Sequence, residues 1–229
     1  MPKFVSIEEA VKLIPDGASV MFGGFMGCGN AHRFIDALSK SSVKDLTMIC
    51  NDASFAGGPM GEEFYGVAKL VHNRQIKKLI ATHVGLNPEV ATQSMQEGTL
   101  EVVLLPQGSF AEMIRAHGAG LGGVLTPTGV GTIIEDSPYC LGKQTVQGRD
   151  YLLMAPLKAD FAVIAGAKID KAGNVWYKGD TSNFNIVMAT AGATVIAEAE
   201  EIVELGDIAP EDVRTPGVFV DYVVEGGKY

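Results

Sequence analysis

Four short apolar runs in the first half of the chain constrain its fold most: SVMF at Ser19–Phe22, DLTMICN at 45–51, KKLIATH at 77–83 and LEVVLL at 100–105. A strand with one face in water alternates apolar and polar residues, whereas one buried on both faces does not. The segments between these runs carry helical signals. Ser6 opens a helix to Ile14, with Glu9 three residues on to complete a capping box. Residues 31–39 show helical spacing through Phe34, Ile35 and Leu38. A weaker helix is expected at 62–69, another from Asn87-Pro88 to Glu97 with Gly98 as its stop, and another at 110–116. Strands hidden on both faces and alternating with helices predict a mostly parallel sheet covered by helices.

The second half reads differently. Residues 118–131 hold six glycines and one proline without helical period. Strands are expected at 161–166 and 174–177 around a turn at 170–173, a helix at 183–191, and strands at 194–198 and 218–224. Neither a repeat nor a linker divides the chain. The expectation is one α/β domain over residues 1–229, with a mostly parallel sheet and additional strands in its C-terminal half.

The first apolar run ends in GGFMGCG, residues 23–29, four glycines in seven positions. Glycine loses more conformational freedom on folding than any other residue, so such a cluster needs a reason. Two readings stand side by side. The loop falls between a strand and a helix, where bare backbone N–H groups and a helix N-terminus suit an anionic ligand or an oxyanion. Alternatively, the connection is tight and needs glycine only for its angles.

Other motifs carry less. GAGLGG at 118–123 matches G-x-G-x-x-G, but a dinucleotide site needs a strand before it and a helix after it. Here a helical segment precedes, and Pro127 follows. Cys28 and His32 are four apart, short of the three or four ligands of a zinc site; Cys28 reads as a small buried apolar residue, and no metal site is expected. The net charge of −9 argues against a broad nucleic-acid or anionic-membrane footprint. The longest uncharged stretches are broken by Gly, Pro, Thr or Asn, so no membrane span is expected. Three separated cysteines and no signal peptide in residues 1–11 suit a reducing cytoplasm.

Taken together, DGASVMFGGFMGCG (16–29), DLTMICND (45–52), the run from Val103 to Thr132, NFN (183–185) and TPGVFVDYVV (215–224) resemble, in order, the A subunit of family I coenzyme A transferases. Within that family the likeness is to bacterial acetate, butyrate and acetoacetate types.

The resemblance implies an enzyme subunit that helps move CoA from a short-chain acyl-CoA or 3-oxoacyl-CoA to a free carboxylate. In this family a glutamate attacks the thioester, an acyl anhydride forms, and a glutamyl-CoA thioester follows. That glutamate lies in a Ser-Glu-Asn-Gly motif of a B subunit. Glu-Asn-Gly is absent here, and Glu97-Gly98 and Glu225-Gly226 sit in unlike surroundings. The resemblance therefore implies a B-subunit partner, no catalytic residue in this chain, and no resident cofactor, CoA being substrate. It assigns CoA contact to Gly23, Gly24, Phe25, Met26, Gly27, Cys28 and Gly29. Ala31 stands where the family places a proline, and 137–140 is slightly longer than in relatives. Arg115, beside the second glycine run, is a candidate anion contact or a solvated, paired residue. Two other readings stay open: a subunit for a 3-oxoadipate or glutaconate pair, and a CoA-binding module without turnover.

Overall fold

The computed structural model describes residues 1–228. The N-terminal half runs β1 (Lys3–Phe4), α1 (Ile7–Val11), β2 (Ser19–Phe22), α2 (His32–Ser39), β3 (Leu46–Cys50), α3 (Ala68–His72), β4 (Ile76–Ala81), α4 (Pro88–Ala91), β5 (Glu101–Leu104) and α5 (Gln107–Gly118). There follow β6 (Val124–Thr126), β7 (Cys140–Val146), β8 (Arg149–Met154), β9 (Ala159–Asp170), β10 (Val175–Trp176), α6 (Asn185–Met188), β11 (Gly192–Val203) and β12 (Tyr222–Glu225).

The main sheet has nine strands in the order β1-β12-β11-β9-β2-β3-β4-β5, all parallel, with β10 antiparallel on β9. Both faces of its central strands β2, β3 and β4 are covered, as their apolar runs require, while the edge strand β5 is only partly buried and leaves Leu104 exposed. Along β2, Val20 and Phe22 join a cluster with Phe34, Leu38 and Leu70 of α2 and α3. Met21 between them joins the opposite cluster, with Phe110, Met113 and Met188 of α5 and α6. Met48 and Ile49 of β3, and Leu79 and Ile80 of β4, divide the same way.

Several expectations shift. The helix expected at 62–69 begins only at Ala68: Gly57 and Gly58 N–H bond back to the Glu63 and Glu62 carbonyls, and Gly66 sits at φ +52°. The expected helix to Glu97 is α-helical only to Ala91 and widens into a π-helical turn over Thr92–Gln96, with Gly98 at φ +66°. The expected helix at 183–191 contracts to α6: Asn183 has a non-helical backbone and bonds through its side chain to Cys28, and beyond Met188 the chain tightens into turns that bond Thr190 N–H to the Val187 carbonyl and Ala191 N–H to the Met188 carbonyl. A three-stranded antiparallel sheet, β6-β8-β7, was not anticipated. Its strands are half-solvated and lack the long apolar runs of the main sheet.

The order of the main sheet reverses at β2. Its following connection, through α2, packs on one face; the connection after neighbouring β9, through α6, packs on the other. Parallel sheets open a crevice at such a reversal, beyond the carboxyl ends of the strands. β9 runs past the end of β2, since Phe22 pairs with Val163 and β9 continues to Asp170. The glycine loop leaves β2 there.

Candidate functional site

The loop is a closed hydrogen-bonded structure. Phe25 and Cys28 exchange both backbone hydrogen bonds at 2.9 Å, making a tight turn of residues 25–28. Met26 lies at φ +51°, and its N–H donates to Asp52 Oδ2 at 2.8 Å. Asp52, at the end of β3, also accepts from Asn51 Nδ2 and Ser54 N–H, so its carboxylate is anchored before it reaches the loop. Phe25 and Met26 are left exposed at the tip.

Each glycine has a neighbour where a side chain would go. A Cβ on Gly23 would lie 1.8 Å from Asn185 Oδ1, and one on Gly24 2.0 Å from Asn30 Nδ2. On Gly27 it would lie 2.0 Å from the Tyr65 ring, and on Gly29 2.7 Å from the Thr181 carbonyl oxygen. Gly24, Gly27 and Gly29 also have φ of +128°, +80° and +76°, which other residues rarely adopt. Side-chain amides hold the base of the loop. Asn30 Nδ2 donates to the Gly23 carbonyl at 2.6 Å, Asn183 Nδ2 to Cys28 at 2.9 Å and Asn185 Nδ2 to Gly29 at 2.9 Å. Asn185 Oδ1 meanwhile accepts from Ala165 N–H of β9 at 3.0 Å, tying loop to sheet.

Between the loop and β9 lies a cavity of about 250 Å3. Cys28 and Gly29 form one wall, Ala165–Ala167 the floor, and His32, Tyr65, Glu198 and Glu200 the sides. Burial drops the His32 pKa to about 4, so its imidazole is neutral at pH 7. Glu198, on β11, is 6% exposed, and burial raises its pKa to about 7 against the pull of two backbone donors. Those donors are Arg33 and Phe34, at 3.3 and 2.6 Å, in the first turn of α2. The helix N-terminus that sequence reasoning offered to an anionic ligand is therefore filled by a carboxyl group of the chain itself. Cys28 is exposed, not buried as expected, and its thiol is held up first by partial desolvation and then by Asp180, the opposite of an activated thiolate. A second hollow, lined by Phe25, Cys28, Asp180, Ser182 and Asn183, opens on the loop's outer side.

The sequence model of the coenzyme A transferases matches residues 4–226. This chain belongs to the coenzyme A transferase family. It is 44% identical, over 97% of its own length and 97% of the relative's, to the alpha subunit of acetoacetyl-CoA:acetate/butyrate CoA transferase from Clostridium acetobutylicum. It is 41% identical, over 97% and 96%, to the acetate CoA-transferase alpha subunit of Escherichia coli. Among solved structures, an acyl-CoA transferase of Escherichia coli O157:H7 superposes with a TM-score of 0.84 at 22% identity. That match covers 98% of this chain and 47% of the other, so this chain spans about half that protein's length.

Within this transferase the second glycine-rich stretch lies apart from the clamped loop in character. α5 precedes it and β6 follows, the reverse of the strand–helix order a dinucleotide site requires. Arg115 directs Nε and Nη2 to Glu112 Oε2, at 2.8 and 2.7 Å, on its own helix. Ala31 is the residue before α2 and makes no side-chain cap; Glu198 supplies the acceptor instead. Residues 137–140 lead from a short 3-10 turn into β7, with Ala155 N–H bonded to the Tyr139 carbonyl. The residues that sequence reasoning missed are Asp52, Tyr65 and Glu198. Asp52 closes the DLTMICND stretch and so lay within the family likeness, though no role attached to it. Among the described residues no helix is long and apolar enough to cross a membrane.

Proposed function

We propose that this chain is the A subunit of a transferase that moves CoA between a short-chain acyl-CoA or 3-oxoacyl-CoA and a carboxylate such as acetate, butyrate or acetoacetate. The observation that carries the reading is the near end-to-end likeness to two alpha subunits named for those carboxylates. The nucleophile is a glutamate of a B subunit, which attacks the thioester carbonyl and expels CoA thiolate. The thiolate returns to the resulting anhydride, frees the first carboxylate and leaves a glutamyl-CoA thioester for the second carboxylate to resolve.

In this reading Gly23–Gly29 contacts CoA, without a catalytic residue from this chain. The place of the loop supports it: a rigid, small-residue turn at the crevice where the sheet order reverses. The charges shape the pose. Acidic side chains line both sides of the loop, Glu198 and Glu200 within and Asp180 without, so the phosphates of CoA lie away from both hollows. Neutral portions of the substrate meet the Ala165–Ala167 floor.

The test is co-expression with a B subunit carrying Ser-Glu-Asn-Gly, followed by a panel of acyl-CoA donors and carboxylate acceptors. Transfer to acetate, butyrate or acetoacetate by the pair, and none by this chain alone, is expected. Robust transfer by the purified chain alone would overturn the division of labour. A pair active only on glutaconate or 3-oxoadipate would overturn the substrate assignment.

A further inference from the structure

Glu198 takes no part in the bond changes just described, and its surroundings are specific. It projects from β11, two strands away from β2, and reaches across to α2 on the far side of the crevice. Its two oxygens meet the two successive backbone N–H groups of Arg33 and Phe34. Space is kept for it: a Cβ on Gly226, just past β12, would lie 2.6 Å from Glu198 Cγ. The first-turn N–H groups of a helix have no intrahelical acceptor, and the residue that would normally cap them, Ala31, cannot. A carboxyl group brought from another strand does that work here. α2 begins three residues after Gly29, so whatever fixes its first turn fixes the end of the glycine loop.

We propose that Glu198 is a positioning residue, an internal carboxyl group that locks the start of α2 to β11, holds the glycine loop in its CoA-contacting geometry, and denies the helix N-terminus to the phosphates of the substrate. The CoA part of this rests on the function proposed above. The tether itself does not.

Two variants of the full chain test it. Glu198→Ala removes the carboxyl group and leaves a space of its size facing two unbonded N–H groups. Its melting temperature falls below wild type, and sodium formate raises it more than sodium chloride at equal ionic strength, because formate re-occupies the gap. Wild type shows no such difference between the salts. Assembled with its B subunit, Glu198→Ala shows a KM for acyl-CoA raised on the order of tenfold with a smaller change in kcat, and formate reverses part of the rise. Glu198→Gln keeps one acceptor, so amide hydrogen exchange at Arg33 and Phe34 loses protection at one position and retains it at the other.

Equal responses of Glu198→Ala to formate and chloride would overturn the tether. If Glu198→Ala does not fold, unchanged exchange at both amides in Glu198→Gln would do the same. Formate rescue of stability, with a wild-type pair that transfers no CoA, would leave the tether standing and remove the function. A rescued Glu198→Ala with unchanged KM in an active pair would remove the link between the two.

Discussion

Residues 23–29 and 118–131 are both dense in glycine, but close contact accounts for every glycine of the first and for only half of those in the second. In the first stretch Gly23, Gly24, Gly27 and Gly29 each face an atom within 2.7 Å of where a Cβ would stand. Those atoms belong to Asn185, Asn30, Tyr65 and Thr181, most of them remote in sequence. In the second stretch Gly120, Gly122 and Gly131 look onto open space, while Gly118, Gly123 and Gly129 pack against Thr190, Leu153 and Ile134. The first loop is compressed by neighbours on all sides. The second is a chain reversal leading into a half-solvated sheet. Counting glycines cannot separate a residue that lets the backbone turn from one that lets another element come close.

Substitution separates them. The largest effect belongs to Gly24→Ala, where a positive φ and a 2.0 Å collision with Asn30 combine; a loss of about 3 to 5 kcal/mol is expected from denaturant unfolding. A stability near wild type there would mean that the loop is free to move aside, and the comparison would collapse. Asn185→Ala comes next. It removes the bonds to Ala165, Gly29 and Thr181 inside a fully buried site. About 3 kcal/mol should go, and a loss much below that would reassign the anchoring to Asn183.

The third effect is one of pH and concerns the cavity beside the first loop. Glu198 has a folded pKa of about 7 against an ordinary 4.5, so the stability it lends at low pH is lost as pH rises to 7. His32 has a folded pKa of about 4 against 6.5, so the stability it lends at neutral pH is lost as pH falls toward 4. Between pH 4.5 and 6.5 the two slopes oppose each other: folding moves a proton from the imidazole to the carboxyl group with little net exchange. The groups around them are Arg33, Asp36 with its Lys69 partner, Glu62, Tyr65 and Glu200. Glu198→Gln should expose the His32 slope, a loss on the order of 2 to 3 kcal/mol from pH 6.5 to 4.5 relative to wild type. Parallel pH profiles for the two proteins would contradict this.

The open positions of the second stretch should answer weakly. Gly122→Ala, outside the left-handed region and with nothing nearby, should leave stability unchanged or raise it by roughly 0.5 kcal/mol. Smallest of all is Arg115→Ala. Its guanidinium is exposed and already paired with Glu112, so the KM for acyl-CoA in the assembled enzyme should stay within about twofold. A larger rise would return Arg115 to the substrate.

How legible each part was follows from the range of the forces involved. Short-range pattern fixes β2 at Ser19–Phe22 and the Ser6–Glu9 capping box, and both stand as read. The sheet was readable because burial on both faces leaves an unbroken apolar run. β7 and β8 were not, since half-solvated strands of mixed polarity resemble loops. At the site, the glycines and the NFN stretch were visible as letters. That Asn183 and Asn185 grip Cys28 and Gly29, more than 150 positions earlier, was not. Glu198 was least visible of all, one acid among several in AEAEE, distinguished only by where β11 places it.

The exchange of hydrogen bonds between Phe25 and Cys28, with Asp52 at the tip and three asparagines at the base, also bears on timing. A loop fastened at that many points has surrendered its conformational entropy before any ligand arrives, so association is not charged for ordering it. The same fastening means that it cannot swing. If the loop lines a site that forms an acyl anhydride, as proposed above, water must be kept out, and such a loop serves as a wall and not as a door. On that proposal, closure over the reacting atoms falls to a partner subunit, moving against a surface that holds still.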